Sequence, residues 1–149
     1  MENGGIPHKE DHGPALEGHK QRHYQELVGS LMYTLYTRPD CAFSTSTLGQ
    51  YNDKSTQTTW KAGLRVLRNL GGTMNQGLEY QFSPGGLKLS AYADADWAGC
   101  RETRKSTTGF VVLLNGTAVS YGSKKQRTVA TSSTEVEYVT AGTTAKEII

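Results

Sequence analysis

From Tyr24 to about Thr37 a leucine recurs every four residues, at Leu27, Leu31 and Leu35, with Val28 and Met32 alongside. That spacing predicts an amphipathic helix. Arg38-Pro39-Asp40 interrupts it, because the residue before a proline is pushed out of the α region. Asp40 is placed to cap a second helix carrying Phe43, Thr47, Leu48 and Tyr51. Thr56 or Thr58 opens a third, with Trp60, Leu64, Leu67 and Leu70 along one face and Gly71-Gly72 at its end. Lys61, Arg65 and Arg68 line the opposite side, as a solvated face or a stripe for a phosphate backbone. Gly63 lies inside this helix and Gly142 inside the last one, each at a cost of about 1 kcal/mol relative to alanine.

After Gly77 the period changes from four to two. Leu78, Tyr80 and Phe82 alternate with polar residues, Ser83-Pro84-Gly85-Gly86 makes a turn, and Leu87, Leu89, Ala91 and Ala93 alternate again, which predicts a hairpin. A second hairpin runs from Thr108 to Tyr121 around Asn115-Gly116, a pair suited to the two positive-φ positions of a tight turn. Ser132 with Glu135 three residues on fits a capping box, so the end of the chain is read as a helix with Val136, Val139 and Ile148 on its buried face. The expected class is therefore α+β, or mixed α/β: helices first, then antiparallel strands and a final helix.

The first residues are polar, punctuated by glycine and proline, and lack periodicity, so residues 1–22 are expected to form a disordered tail. His8, His12, His19 and His23 all fall near this end, but Gly13, Pro14 and Gly18 argue against one helix presenting them to a metal. Cys41 and Cys100 stand apart with no CxxC spacing, which favours reduced thiols over a disulfide framework or a zinc site. No run approaches roughly eighteen apolar residues and the start has no apolar leader, so the expectation is a cytoplasmic or nuclear protein, not secreted and not in a membrane. The formal charge of +2 excludes little, but residues 1–83 hold eight basic and eight acidic residues and 84–149 hold eight and six. Any phosphate-binding surface therefore rests on local clusters such as Arg101, Arg104 and Lys105, or Lys124, Lys125 and Arg127.

The densest chemistry is in Tyr92-Ala93-Asp94-Ala95-Asp96-Trp97. Two acids spaced i,i+2 on a strand share a face, and the mutual repulsion of their charges is relieved by a divalent cation with a preference for hard oxygen ligands, such as Mg²⁺ or Mn²⁺. Both acids could equally leave the strand and meet only water. In Thr131-Ser132-Ser133-Thr134-Glu135-Val136-Glu137-Tyr138, Glu135 is expected to serve its own helix terminus, which leaves Glu137 free to face another element.

These blocks, with Arg104-Lys105-Ser106-Thr107-Thr108-Gly109-Phe110 and Ser123-Lys124-Lys125-Gln126, resemble the ribonuclease H domain of Ty1/copia-type retrotransposon polyproteins. Leu27 to Tyr33, Thr37 to Asp40 and Trp60 to Leu70 resemble the segment that joins reverse transcriptase to that domain, so the likeness runs from about His23 to Ile149. It implies a helical connection segment at 23–76 and a truncated ribonuclease H-like domain at 77–149, with three antiparallel strands and then a helix. It also implies Asp94 and Glu137 as catalytic metal ligands, Asp96 and Glu135 as supporting residues, and two Mg²⁺ or Mn²⁺ ions about 3.5–4 Å apart for hydrolysis of the RNA strand of an RNA–DNA hybrid. Two further family aspartates would fall beyond Ile149, so the expectation is a fragment inactive on its own. Three roles stay open: a remnant without turnover; a module holding nucleic acid through Arg101, Arg104, Lys105, Lys124, Lys125, Arg127 and Trp97; and an interaction domain whose first strand pairs with the missing polyprotein portion.

Overall fold

The computed structural model describes residues 13–82, 84–100 and 103–149, and the chain divides at Gly77/Leu78 into two compact units. His8 and His12 therefore lie outside the described residues.

The first unit holds α1 (His19–Thr34), a 3₁₀ turn (Pro39–Cys41), α2 (Ala42–Gly49) and α3 (Gln57–Gly72). Leu16, Tyr24, Val28, Leu31 and Leu48 are its buried core, with Leu27, Tyr51, Trp60, Ala62, Val66 and Leu70 packed around them. Each fully buried side chain of this size contributes about 1.5–3 kcal/mol. The expected tail is corrected here for residues 13–22. The Leu16 N–H donates to the Ser55 carbonyl at 2.9 Å, Ala15 bridges to Thr56, and α1 begins at His19, because burying Leu16 draws this polar stretch onto the core.

Two other expectations change in this unit. Asp40 does not cap α2, whose N-cap is Cys41; it accepts from the buried Arg38 guanidinium at 2.9 and 2.7 Å, and that pairing holds its carboxyl below the usual range. Arg38 also donates to the Thr73 carbonyl at 3.1 Å and the Thr73 hydroxyl at 2.8 Å, tying the turn to the end of α3. Thr56 does cap α3, with Thr56 and Thr59 exchanging backbone-to-hydroxyl bonds of 3.3 and 2.9 Å. The face of α3 that turns inward carries Thr59 and Gly63, while Leu67 is left 48% exposed. Gly63 has a packing reason, since a Cβ there would meet Leu27 Cδ2 at 2.9 Å.

The second unit is an antiparallel sheet in the order β1 (Leu89–Asp96), β2 (Thr107–Leu114), β3 (Thr117–Lys125), followed by α4 (Ser133–Lys146), which packs on β1 and β2. Asn115 (φ 49°) and Gly116 (φ 88°) form the turn the sequence predicts. The first strand of the hairpin expected around residues 83–86 does not form, and Ser83 itself lies outside the described residues. Residues 78–82 make no strand and lean on β3 instead, Tyr80 Oη donating to the Ala118 carbonyl at 2.8 Å and the Thr117 hydroxyl to the Glu79 carbonyl. On α4 the inward residues are Val136, Thr140 and Thr144, whereas Val139 and Ile148 are 38% and 43% exposed. The helix seats on polar contacts as well as apolar ones: Thr108 and Thr140 hydroxyls meet at 3.0 Å, and Gln126 Nε2 donates to Thr108 Oγ1 at 3.0 Å and Thr140 Oγ1 at 3.3 Å.

Tyr24 Oη donates to the Leu48 carbonyl at 2.7 Å, and burial pushes its phenol up to about 12. The folded state therefore favours the protonated phenol, and its contribution is complete below the unfolded pKa of about 10 and lost as pH rises through 12. Unfolding of the wild-type chain between pH 9 and 12 should show this loss of stability. Tyr24→Phe should flatten it while costing about 1 kcal/mol at pH 7 through the lost hydrogen bond.

Candidate nucleic-acid interface

The register of β1 on β2 sets Asp94 opposite Gly109 and Asp96 opposite Thr107. Strand alternation then roots both acids on the sheet face away from Thr108, the residue that meets Thr140 of α4. Both carboxylates are exposed. Asp94 Oδ1 accepts the N–H of Ala95 at 2.9 Å, and Asp96 folds back over Gly99, where any Cβ would clash with its carboxylate. Glu137 is exposed in the first part of α4, beside the buried Val136.

Glu135 serves its own helix terminus. Its N–H donates to the N-cap Ser132 hydroxyl at 3.2 Å, and its carboxylate accepts from the Thr131 N–H at 2.8 Å and hydroxyl at 3.0 Å, one residue earlier than a standard capping box. Among the described residues no group of three or more His, Cys, Asp or Glu side chains is placed to hold a metal ion. A two-ion site needs more converging oxygen donors than Asp94 and Glu137 supply, so the side chains described do not fit one.

The basic residues fall on the two segments at one end of the sheet, with Lys125 on the face of Asp96 and Lys124 on the face of α4. Lys124 and Lys125 end β3 opposite Thr108 and Thr107, and the pairing continues as the Gln126 N–H donates to the Ser106 carbonyl at 2.8 Å. Lys105 and Arg127 are the next residues on these two segments, and the Lys105 carbonyl accepts the N–H of Cys100 at 3.2 Å. Arg104 sits beside them in a left-handed conformation (φ 53°), its N–H donating to the Cys100 carbonyl at 2.7 Å. Trp97 follows β1 at the same end, its indole N–H donating to the Ala130 carbonyl at 3.5 Å while half of its surface stays open. No described carboxylate lies within ion-pair range of Arg104, Lys105, Lys124 or Arg127. Arg101 lies outside the described residues.

Cys100 and Ser106 were not singled out as functional positions by the sequence, because only the folded loop gives them partners. Ser106 Oγ accepts the N–H of Ala98 at 3.0 Å and helps hold that residue at φ 52°. Lys125 Nζ donates to Cys100 Sγ at 2.7 Å. Burial pushes the Cys100 thiol up, but Lys125 and Thr103 outweigh it and bring the value down to about 7. Cys41 moves the other way, raised by burial and by Asp40. Both cysteines are free thiols.

With the fold and this end of the sheet described, the chain can be set against known proteins. It is 46% identical over 127 residues to secreted RxLR effector protein 161 of Plasmopara viticola, covering 85% of this chain and 89% of that protein. It is 42% identical over 125 residues to the retrovirus-related Pol polyprotein from transposon RE2 of Arabidopsis thaliana, and 41% identical over 127 residues to that from transposon TNT 1-94 of Nicotiana tabacum. These matches cover 84% and 85% of this chain but only 8% and 9% of the polyproteins. No family model and no solved structure matches. The chain belongs to the Ty1/copia-type retrotransposon Pol family, in the region that carries the ribonuclease H-like fold.

One expectation is overturned by these relatives. The sequence predicts a cytoplasmic or nuclear protein that is not secreted, yet a relative aligned along most of its length is named a secreted effector. The reading rested on the absence of an apolar leader, and that absence does not fix a compartment. No helix among the described residues is long and apolar enough to cross a membrane.

Cys100 should react with iodoacetamide at neutral pH, its rate rising through a midpoint near 7, while Cys41 stays inert in the folded chain. Lys125→Met should slow the reaction at pH 7 by about 10-fold, because the thiolate loses its ammonium partner. Mass spectrometry of the alkylated peptides reads both effects.

Proposed function

We propose that this chain is a nucleic-acid-binding module of ribonuclease H descent that acts without the hydrolytic step. One observation carries the reading. Lys124 and Lys125 end β3, Arg104, Lys105 and Arg127 lie on the segments that adjoin that end of the sheet, where Trp97 stays half open, and Arg104, Lys105, Lys124 and Arg127 have no carboxylate within ion-pair range among the described residues. Such residues attract phosphates through charge, and an indole face at the same end can stack on a base or pack along a sugar. The ligand class is a duplex or RNA–DNA hybrid, whose two backbones match a patch fed by adjacent strands.

Support for the hydrolytic alternative is family membership, with Asp94 and Glu137 as the metal ligands and Asp96 and Glu135 in support. Against it stand the local bond of Asp94 to Ala95, the capping duty of Glu135, and the lack of a donor cluster among the described residues. The activity of the much longer polyproteins therefore enters here only as descent.

Filter binding of a 20-base-pair RNA–DNA hybrid should show affinity falling with salt, with a log–log slope of about −3 to −4. Lys124→Ala combined with Arg127→Ala should weaken binding about 10-fold and reduce the slope by roughly 1.8. Undetectable or salt-insensitive binding at low ionic strength removes the proposal. Hybrid cleavage in Mg²⁺ or Mn²⁺ that disappears in Asp94→Asn removes its non-catalytic half.

A further inference from the structure

A second basic surface lies on α3, in the first unit. Lys61, Arg65 and Arg68 stand at i, i+4 and i+7, so at about 100° per residue they fall within roughly 60° of one another around the helix axis. All three are exposed. The inward residues Thr59 and Gly63 occupy the opposite side of the same helix, which turns the row away from the core. Its neighbours on the helix surface are Gln57, Thr58, Leu64, Asn69 and Gly72, none of them charged.

α3 contains no Asp or Glu, and none occurs anywhere between Lys54 and Leu78. Residues 13–77 hold seven basic and four acidic residues, and without this row the unit would be balanced at four of each. Among the described residues no carboxylate lies within ion-pair range of Lys61, Arg65 or Arg68. A helix face that meets only water gains from acids interleaved with its cations at i,i+4. Here Lys61 and Arg65 at i,i+4, and Arg65 and Arg68 at i,i+3, repel one another, a cost that a polyanion laid along the row removes.

We infer that this row is a contact for one strand of a nucleic acid, held through its phosphates without reading its bases. The inference rests on the reading that this chain holds nucleic acid, and adds to it a surface on the other unit. From Lys61 to Arg68 the helix rises about 10.5 Å, which spans about three phosphates of one strand at about 3.4 Å of duplex axis each. Two of the three cations are arginines, whose planar forks match phosphate oxygens. The row ends before the last turn of α3, where the helix C-terminus would repel an anion. A lipid surface needs large apolar side chains turned outward beside the cations. Trp60, Val66 and Leu70 are instead packed against the core, and the half-exposed Leu67 lies about 100° round the axis from Arg68.

In the full chain, Arg65→Gln with Arg68→Gln should weaken binding of the 20-base-pair RNA–DNA hybrid about 10-fold and reduce the log–log salt slope by roughly 1.8. Arg65→Lys with Arg68→Lys keeps both charges and should keep the slope, with affinity lowered by at most about 3-fold. Lys20→Gln with Arg22→Gln removes the same charge from exposed positions on α1 and should change affinity by less than about 2-fold. A loss there equal to that of the arginine pair assigns the effect to net charge and overturns the inference. Bound hybrid should also protect Lys61, and not Lys20, from acetylation, read by mass spectrometry of the modified peptides. Wild-type affinity in the Arg65→Gln, Arg68→Gln variant overturns the inference while the reading of the sheet end stands. If that variant weakens and Lys124→Ala with Arg127→Ala does not, the row stands and the sheet end falls. Lost affinity for anionic phospholipid vesicles with hybrid binding unchanged assigns the row to a lipid headgroup and also overturns the inference, and no hybrid binding by the wild-type chain removes both.

Discussion

The second unit depends on how α4 is fastened to its sheet. Few apolar side chains are available for that: Val112, Ala118, Ala130 and Val136 are the buried ones, and two of them are alanines. The remaining hold is a knot of hydrogen bonds in which Gln126 Nε2 reaches Thr108, Thr140 and, at 3.5 Å, the Val136 carbonyl. Buried polar groups are costly when unpaired and directional when paired, so the knot fixes the rotation and height of the helix more tightly than alanine contacts can. Gln126 Oε1 is buried without a partner among the described residues, which shows that the fit is not complete.

The placement of every candidate side chain in this unit follows from that seat. With Val136, Thr140 and Thr144 turned inward, Glu137 is carried to the exposed side of α4 and Glu135 is left at the helix terminus. The pairing of Ser106 with Gln126 starts the same knot and also brings Lys105 and Arg127 side by side. One arrangement thus exposes the carboxylates and sets basic residues at one end of the sheet.

The first unit uses the same device. Tyr24, Arg38 and the Thr56–Thr59 pair place polar atoms at the joints between elements, while leucine and valine fill the space between them. Gly63 belongs to this scheme, since the helix costs some intrinsic stability there and the missing side chain admits Leu27.

The sequence by itself determined the class of fold, the three helices before Gly77, the Asn115-Gly116 turn, the Ser132 cap and the family, because each rests on local pattern or on runs of residues that need no partner. It failed where a partner decides. Leu16 is apolar in a polar stretch, and only the core made by α1 and the Ser55–Thr56 segment could draw residues 13–22 into place. Leu78, Tyr80 and Phe82 alternate like a strand, but alternation does not supply a neighbour, and the segment meets β3 through side chains. Leu67 and Val139 obey helical spacing yet sit at the margin of faces that Gly63 and the threonines occupy, since close approach favours small or hydrogen-bonding residues over large apolar ones. The placing of Lys124 and Lys125 opposite Thr108 and Thr107 exists only once strands are paired, because register is a relation between distant segments that no single segment encodes.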